Sequence, residues 1–187
     1  MAHEQILPSD DRWYPHATVA CVVPRCATGI QLDPFASKPS NANALVDNLE
    51  FLMVEEGIEG RSVFNQPAGH VEYGETIADA AIREALEETG WQVKLRAFLG
   101  IYVLRIPEPT GHDRVYHRYS FLAEPVAQIT NDLDDAIIRA LWMDRAALAA
   151  TSDRHRSPLI MACISDYLSG RRYPLDLIQE FSTGDRP

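Results

Sequence analysis

A chain of 187 residues with 46% hydrophobic and 24% charged side chains has room for one ordinary domain with a real core, and its balance fits neither a disordered nor a membrane protein. Its 17 basic and 27 acidic residues give a formal charge of −10, which argues against nucleic-acid binding through a basic surface. No apolar run nears a bilayer span, and the N-terminus lacks the basic start and apolar stretch of a secretory signal, so a cytoplasmic protein without a membrane partner is expected.

In chain order, "HATVACVV" (His16 to Val23) and "EFLMVEE" (Glu50 to Glu56) are β-branched or apolar and read as strands. The 25–49 segment between them is rich in Pro, Asn, Ser and Ala, and reads as an extended loop or insertion. "SVFNQPAGHV" suggests a strand ending in a Pro-Ala-Gly loop. "WQVKLRAFLGIYVLRI" suggests strand material broken near Gly100, and "RVYHRYSFLAEPV" another strand. "DDAIIRALWMDRAALAA" leads through Trp142 into a short helix. "SPLIMACISDYLSG" is a punctuated helix, with Ser157 as cap, Pro158 in its first turn and Gly170 at its end. Interleaved strands and helices, with no repeat, predict one domain over 1–187 built on a mixed sheet with helices on its faces.

Between the third and fourth of these stretches lies a helix over about Thr76 to Thr89, with Thr76 as N-cap, Asp79 three residues on and Gly90 at its end. Its predicted core face is Ala78, Ala81, Ile82, Ala85 and Leu86, within an arc of roughly 140°. Glu84, Glu87 and Glu88 fall nearly opposite, with Ile77 and Ala80. Like charges at these spacings cost roughly 0.2–0.5 kcal/mol per pair, and carboxylates at a helix C-terminus lose about 0.3–1 kcal/mol more. A cation bound there would account for a cluster that is otherwise unfavourable, and a multivalent cation would reverse the field of an acidic protein toward a phosphate. A solvated acidic face is the competing reading.

The surrounding letters decide between them. Gly69, Glu75, Arg83, Glu84, Glu87, Glu88 and Gly90 spell G-x5-E-x7-R-E-x-x-E-E-x-G. At about one chance match in 15 per letter, the pattern arises on the order of once in 10⁸ tries. It resembles the Nudix box, the loop-helix signature of hydrolases that cleave nucleoside diphosphates linked to other groups. Ala85 and Trp91 depart from the pattern's aliphatic positions. "PHATVACVV", "FNQPAGHVE", "RSPLI" and "SGRRYPLDLI" are similar to the bacterial NudJ-type phosphatase branch, whose substrates are nucleoside tri- and diphosphates and the pyrophosphate of the thiamine pyrimidine precursor.

The resemblance implies an α/β/α sandwich with a mixed β-sheet and a Mg²⁺-dependent hydrolase of small phosphoanhydrides, with Mn²⁺ as a possible substitute, acting as monomer or homodimer. It implies that Glu84, Glu87 and Glu88 bind the metal with the Gly69 carbonyl, and that Arg83 and Glu75 orient the carboxylates or a water. Glu84 is one candidate general base; Asp134 and Asp135 are others. Outside the box, His70, Arg105 and Arg118 are candidate substrate contacts, with Arg114 a weaker one. Trp13, Tyr14 and the run Arg154, His155 and Arg156 read more simply as packing and a solvated loop, and Cys21 as core. The same fold also serves two other functions: a sensor that binds without cleaving, which has no use for the acidic cluster, and an isomerase, which needs a reactive cysteine that sequence does not place near the box.

Overall fold

The computed structural model describes residues 13–27, 35, 48–109 and 111–181, so most of the 25–49 segment lies outside the described residues. Strands β1 (His16–Val22), β5 (Ala68–His70), β6 (Trp91–Ile106) and β7 (Arg114–Gln128) form one sheet in the order β5-β1-β7-β6. β1 is parallel to β7 and antiparallel to β5, so this sheet is mixed, as expected. A second, antiparallel sheet gathers around β3 (Leu49–Ile58). β8 (Ile137–Asp144) takes one edge of β3, while β2 (Pro24–Cys26) and β4 (Arg61–Asn65) follow one another along the other.

Alternation along the strands sorts side chains to two cores. Val19, Cys21, Val23, Phe121 and Ala123 face helix α1 (Ile77–Thr89). Val22, Leu122, Phe51 and Met53 face helix α3 (Leu159–Leu168), joined by Leu148 of the short helix α2 (Arg145–Ala150). Among the described residues, no helix is long and apolar enough to cross a membrane.

Helix α1 starts and stops where its sequence predicts. The Thr76 hydroxyl oxygen accepts from the Asp79 N–H at 3.0 Å and donates to the Asp79 carboxylate, while the Ile77 N–H donates to Glu180, which places a second carboxylate at the positive end of the dipole. The buried stripe differs from the predicted one. It is Ala80, Ala81, Glu84, Ala85, Glu88 and Thr89, with Ala78, Ile82 and Leu86 short of full burial. Hydrophobic periodicity ranks the large apolar residues first, but the alanines let the helix approach the sheet closely and carry two glutamates in with them.

The expected Pro-Ala-Gly loop is a bend at Pro67, after which Ala68 and Gly69 open strand β5, and the break expected near Gly100 is a register irregularity within one continuous strand, β6. In α3 the Ser157 hydroxyl accepts from the Leu159 N–H at 3.3 Å, and Gly170, at φ 85°, follows its end. Gly90 closes α1 in a left-handed conformation, at φ 71°, and a β-carbon there would lie 2.0 Å from the Thr130 carbonyl oxygen. Gly90→Ala should therefore destabilise the protein by about 2 kcal/mol or more, from the left-handed backbone alone and the clash with rigid backbone; the midpoint of urea unfolding measures it.

Candidate active site

The site grows from the free edge of β5. Antiparallel ladders alternate bonded and unbonded pairs. The bonds from the Val71 N–H to Ala17 and from the Cys21 N–H to Pro67 fix the phase, so Gly69 pairs its backbone with Val19, and Ala68 and His70 turn theirs outward. Among the described residues, no strand lies beyond β5 in its sheet. Helix α1 satisfies the edge instead: Glu88 Oε2 accepts from the Ala68 N–H at 2.8 Å, and Arg83 Nη2 donates to the His70 carbonyl at 3.0 Å.

Arg83 is the hub. It grips Glu75 through two nitrogens at 2.9 and 2.7 Å, and its Nη1 reaches Glu84 at 2.9 Å and Glu87 at 2.8 Å. Glu75 also accepts from the Glu72 N–H at 2.7 Å, which fixes the loop before the helix. One guanidinium thus sets the positions of three box carboxylates, the bidentate geometry for which arginine is suited. Gly69 is obligatory for another reason: a β-carbon there would lie 2.1 Å from Glu84 Oε1.

Burial sets the electrostatics. Glu84 is 9% and Glu88 8% exposed. Desolvation pushes the Glu88 carboxyl up to about 8, aided by Glu56 and Glu84, against the Ala68 hydrogen bond and Arg156. Glu84 is also raised, by desolvation first, with Glu87 and Asp134 adding and Arg83 opposing. Glu75, held by Arg83, is lowered. Water-poor carboxylates disfavoured as anions are where a bound cation contributes most. The donors suit a hard cation. Glu84, Glu87 and Glu88 each engage one oxygen in the bonds above, and the Ala68 carbonyl lies on the free edge, whereas that of Gly69, the expected ligand, faces β1. Among the described residues, no three acidic, His or Cys side chains converge to enclose a cation as they stand; Mg²⁺ needs only one or two carboxylates, completed by waters and substrate phosphates.

Across β5 opens a cleft of about 830 Å³. Its floor is the face of the mixed sheet that α3 leaves uncovered, and cross-strand register orders it in rows. His16, Tyr116 and Leu104 form one row; His70, Thr18 and Arg118 form the next, which ends under α3 at Tyr102, whose hydroxyl donates to Asp166. His16 stacks on Tyr116 at 4.9 Å between centroids, with His70 edge-on at 5.5 Å. Burial, with His16 and Arg156, lowers the His70 pKa. Arg61, Arg114, Arg118, Arg154 and Arg156 line the cleft against Glu59 and Asp153, a local excess of positive charge in a chain of net charge −10.

Of the residues singled out from sequence, the box set, His70 and Arg118 come together here. Arg105 does not: it is exposed on the opposite face, because Leu104 and Ile106 on either side of it line the cleft. Arg114 lines the cleft and pairs with Glu108. Arg154 and Arg156, read as a solvated loop, instead form ion pairs with the buried Glu55 and Glu56. Arg139 and Ser62 join Glu55, whose carboxyl is held down at about 2 chiefly by the Ser62 hydrogen bond and the two arginines. Two glutamates in the apolar strand "FLMVEE" were the available signal, since buried carboxylates require partners. Asp134 donates its N–H to the Glu87 carbonyl at 3.1 Å, and with Asp135 lines a separate cavity beside Glu87. Cys21 lies under α1, hydrogen-bonded to the Ala81 carbonyl, but burial raises its thiol to about 12, so proximity to the box gives no reactive cysteine. Trp13 and Tyr14 are exposed.

Two outcomes follow. In Gly69→Ala the new methyl meets the end of a flexible side chain, so Glu84 must swing away; hydrolysis should fall at least about tenfold while the melting temperature stays near wild type. In EDTA, the raised Glu88 carboxyl holds its proton in the folded state above the unfolded value of about 4.3. Its contribution to stability is full below that value, declines as pH rises toward 8, and levels off beyond. Glu88→Gln should lack this decline and be the more stable protein at pH 8.5 in EDTA, as measured by melting curves across pH.

Known proteins share this sequence pattern and fold. Residues 38–163 match the NUDIX domain. The chain is 36% identical over 170 residues to phosphatase NudJ of Escherichia coli K12, covering 90% of this chain and 93% of that one. A solved NUDIX hydrolase from Nitrosomonas europaea superposes with a TM-score of 0.71 at 36% identity, over 90% of this chain and 98% of its own. A structure from Jonesia denitrificans, described as a possible asymmetric diadenosine tetraphosphate hydrolase, shares the fold with a TM-score of 0.60 at 14% identity, over 87% and 99% of the two chains.

Proposed function

This chain belongs to the Nudix hydrolase family, and we propose that it hydrolyses phosphoanhydride bonds of nucleoside tri- or diphosphates, or of related small pyrophosphates, with Mg²⁺ as cofactor and Mn²⁺ as a substitute. The observation that carries the reading is the meeting, across one edge strand, of the box carboxylates with an arginine-lined cleft. The relative named phosphatase NudJ supports hydrolysis of a phosphorylated substrate.

Glu84, Glu87 and Glu88, with the outward Ala68 carbonyl, would hold the cation, which supplies positive charge against phosphate oxygens and makes water more acidic. The chain's own residues do the rest. Arg83 keeps Glu84 and Glu87 in place before substrate arrives, so little reorganisation accompanies the reaction. The cleft arginines offset the charge of a polyphosphate, and the His16, Tyr116 and His70 rings offer a stacking surface for a heterocycle. Burial makes Glu84 a stronger base than an exposed carboxylate, and Glu84 is our candidate to take the proton of the attacking water.

Glu88→Gln keeps the shape and removes the ligand charge, and should lower kcat by two decades or more, as for other lost electrostatic stabilisers. Phosphate and pyrophosphate release is measured with GTP, ADP-ribose and a pyrimidine pyrophosphate, with and without Mg²⁺. Activity near wild type would sink the metal assignment, and absence of Mg²⁺-dependent release from every substrate would sink the function.

A further inference from the structure

Arg118 is anomalous among the buried charges, since even Glu88, which has no ion pair, accepts the Ala68 N–H. Glu55 has two arginines and a serine, Glu56 has Arg156, and Glu84 has Arg83. Arg118 is only 9% exposed, yet its Nε and Nη1 are buried without a hydrogen-bond partner. Among the described residues, no carboxylate lies within ion-pair distance of it. Leaving a guanidinium desolvated and unpaired costs stability. An arginine kept there for packing alone would be replaced at lower cost by an apolar residue of similar length.

Its neighbours share the condition. Thr18, on β1 directly beside Arg118 of β7, is 4% exposed with its hydroxyl unpartnered, and Asn65, 1% exposed, has an unpartnered side-chain oxygen. All three line the cleft. A guanidinium, a hydroxyl and an amide that can present either end by turning about its last torsion form a donor set for a tetrahedral oxyanion. The position fits the cleft's traffic. Arg118 lies two strands from the β5 edge, about 10 Å by backbone spacing, one row deeper than the ring surface of His16 and Tyr116.

We propose that Arg118, with Thr18 and Asn65, forms a phosphate subsite of the cleft, which binds a phosphoryl group of the substrate away from the box carboxylates and is open to inorganic phosphate as a competitor. The proposal rests on the hydrolase reading for its substrate and on the unpaired guanidinium for its location. Arg118 binds and positions; it takes no part in bond breaking.

The test uses the full chain and inorganic phosphate as probe, at constant ionic strength with chloride as control. In EDTA, the wild-type melting temperature should rise saturably with phosphate. Arg118→Met should melt at or above wild type without phosphate and lose the response. With Mg²⁺, phosphate should raise KM and leave kcat unchanged in the wild type. Arg118→Met should raise KM at least about tenfold, the loss expected for a charged hydrogen bond. Thr18→Val, of equal size, should weaken both effects and keep the fold. The subsite is overturned if Arg118→Met melts well below wild type and keeps its phosphate response, or if phosphate lowers kcat with KM unchanged, which places the anion elsewhere. Hydrolysis of the panel with no phosphate response and an unchanged KM in Arg118→Met refutes the subsite and leaves the hydrolase reading standing. An Arg118-dependent phosphate response in a wild type that hydrolyses nothing refutes the hydrolase reading and leaves an anion site.

Discussion

Among the described residues, the backbone of β5 has one neighbouring strand, and the structure turns on what satisfies its other edge. An exposed edge offers unpaired N–H and C=O groups to any passing strand, and proteins normally cover or charge it. Here the cover is a row of side chains from α1, with Glu88 accepting from Ala68 and Arg83 donating to His70. The same contacts that close the sheet draw the carboxylates to one place, beside a glycine without a side chain to obstruct them. Folding and assembly of the site are therefore one event.

That arrangement explains why so much charge is buried in so small a protein. Glu84 and Glu88 are pulled inside by α1, and Glu55 and Glu56 by the strand that forms the centre of the second sheet. Arginines from β8 and from the segment before α3 meet the second pair. Arg156 therefore serves twice, neutralising Glu56 and lining the cleft. Positive potential in the cleft is partly a by-product of charge compensation in the core. An acidic chain can thus present a basic face to a phosphate without a basic composition.

The sequence disclosed the parts whose rules are local. Thr76 and Gly90 mark the ends of α1 because caps depend on a few adjacent residues, and the box letters place the carboxylates because their spacing is fixed by one helix. It disclosed less where distant segments meet. The buried stripe of α1 follows Ala80, Glu84 and Glu88, which periodicity assigns to the outer face, because only the fold shows that β5 lies there. β5 itself is three residues long, too short for an alternation to be seen. Arg154 and Arg156 look solvated until β3 delivers two glutamates to them, and Arg105 looks like a phosphate clamp until strand parity turns it away.

Parity along β1 and β7 has one more implication. Positions 16 and 18 of β1, and 116 and 118 of β7, face the cleft, while positions 19, 21, 119 and 121 pack toward α1. Recognition and support thus occupy alternate letters of the same strands, on opposite sides of one sheet, and the reactive edge belongs to a third strand. A lineage can therefore exchange what lies on the cleft floor, residue by residue, without disturbing the core beneath α1 or the box. The fold separates heritable variation in substrate choice from variation that would break the enzyme, which is the condition under which one catalytic apparatus diversifies into many specificities.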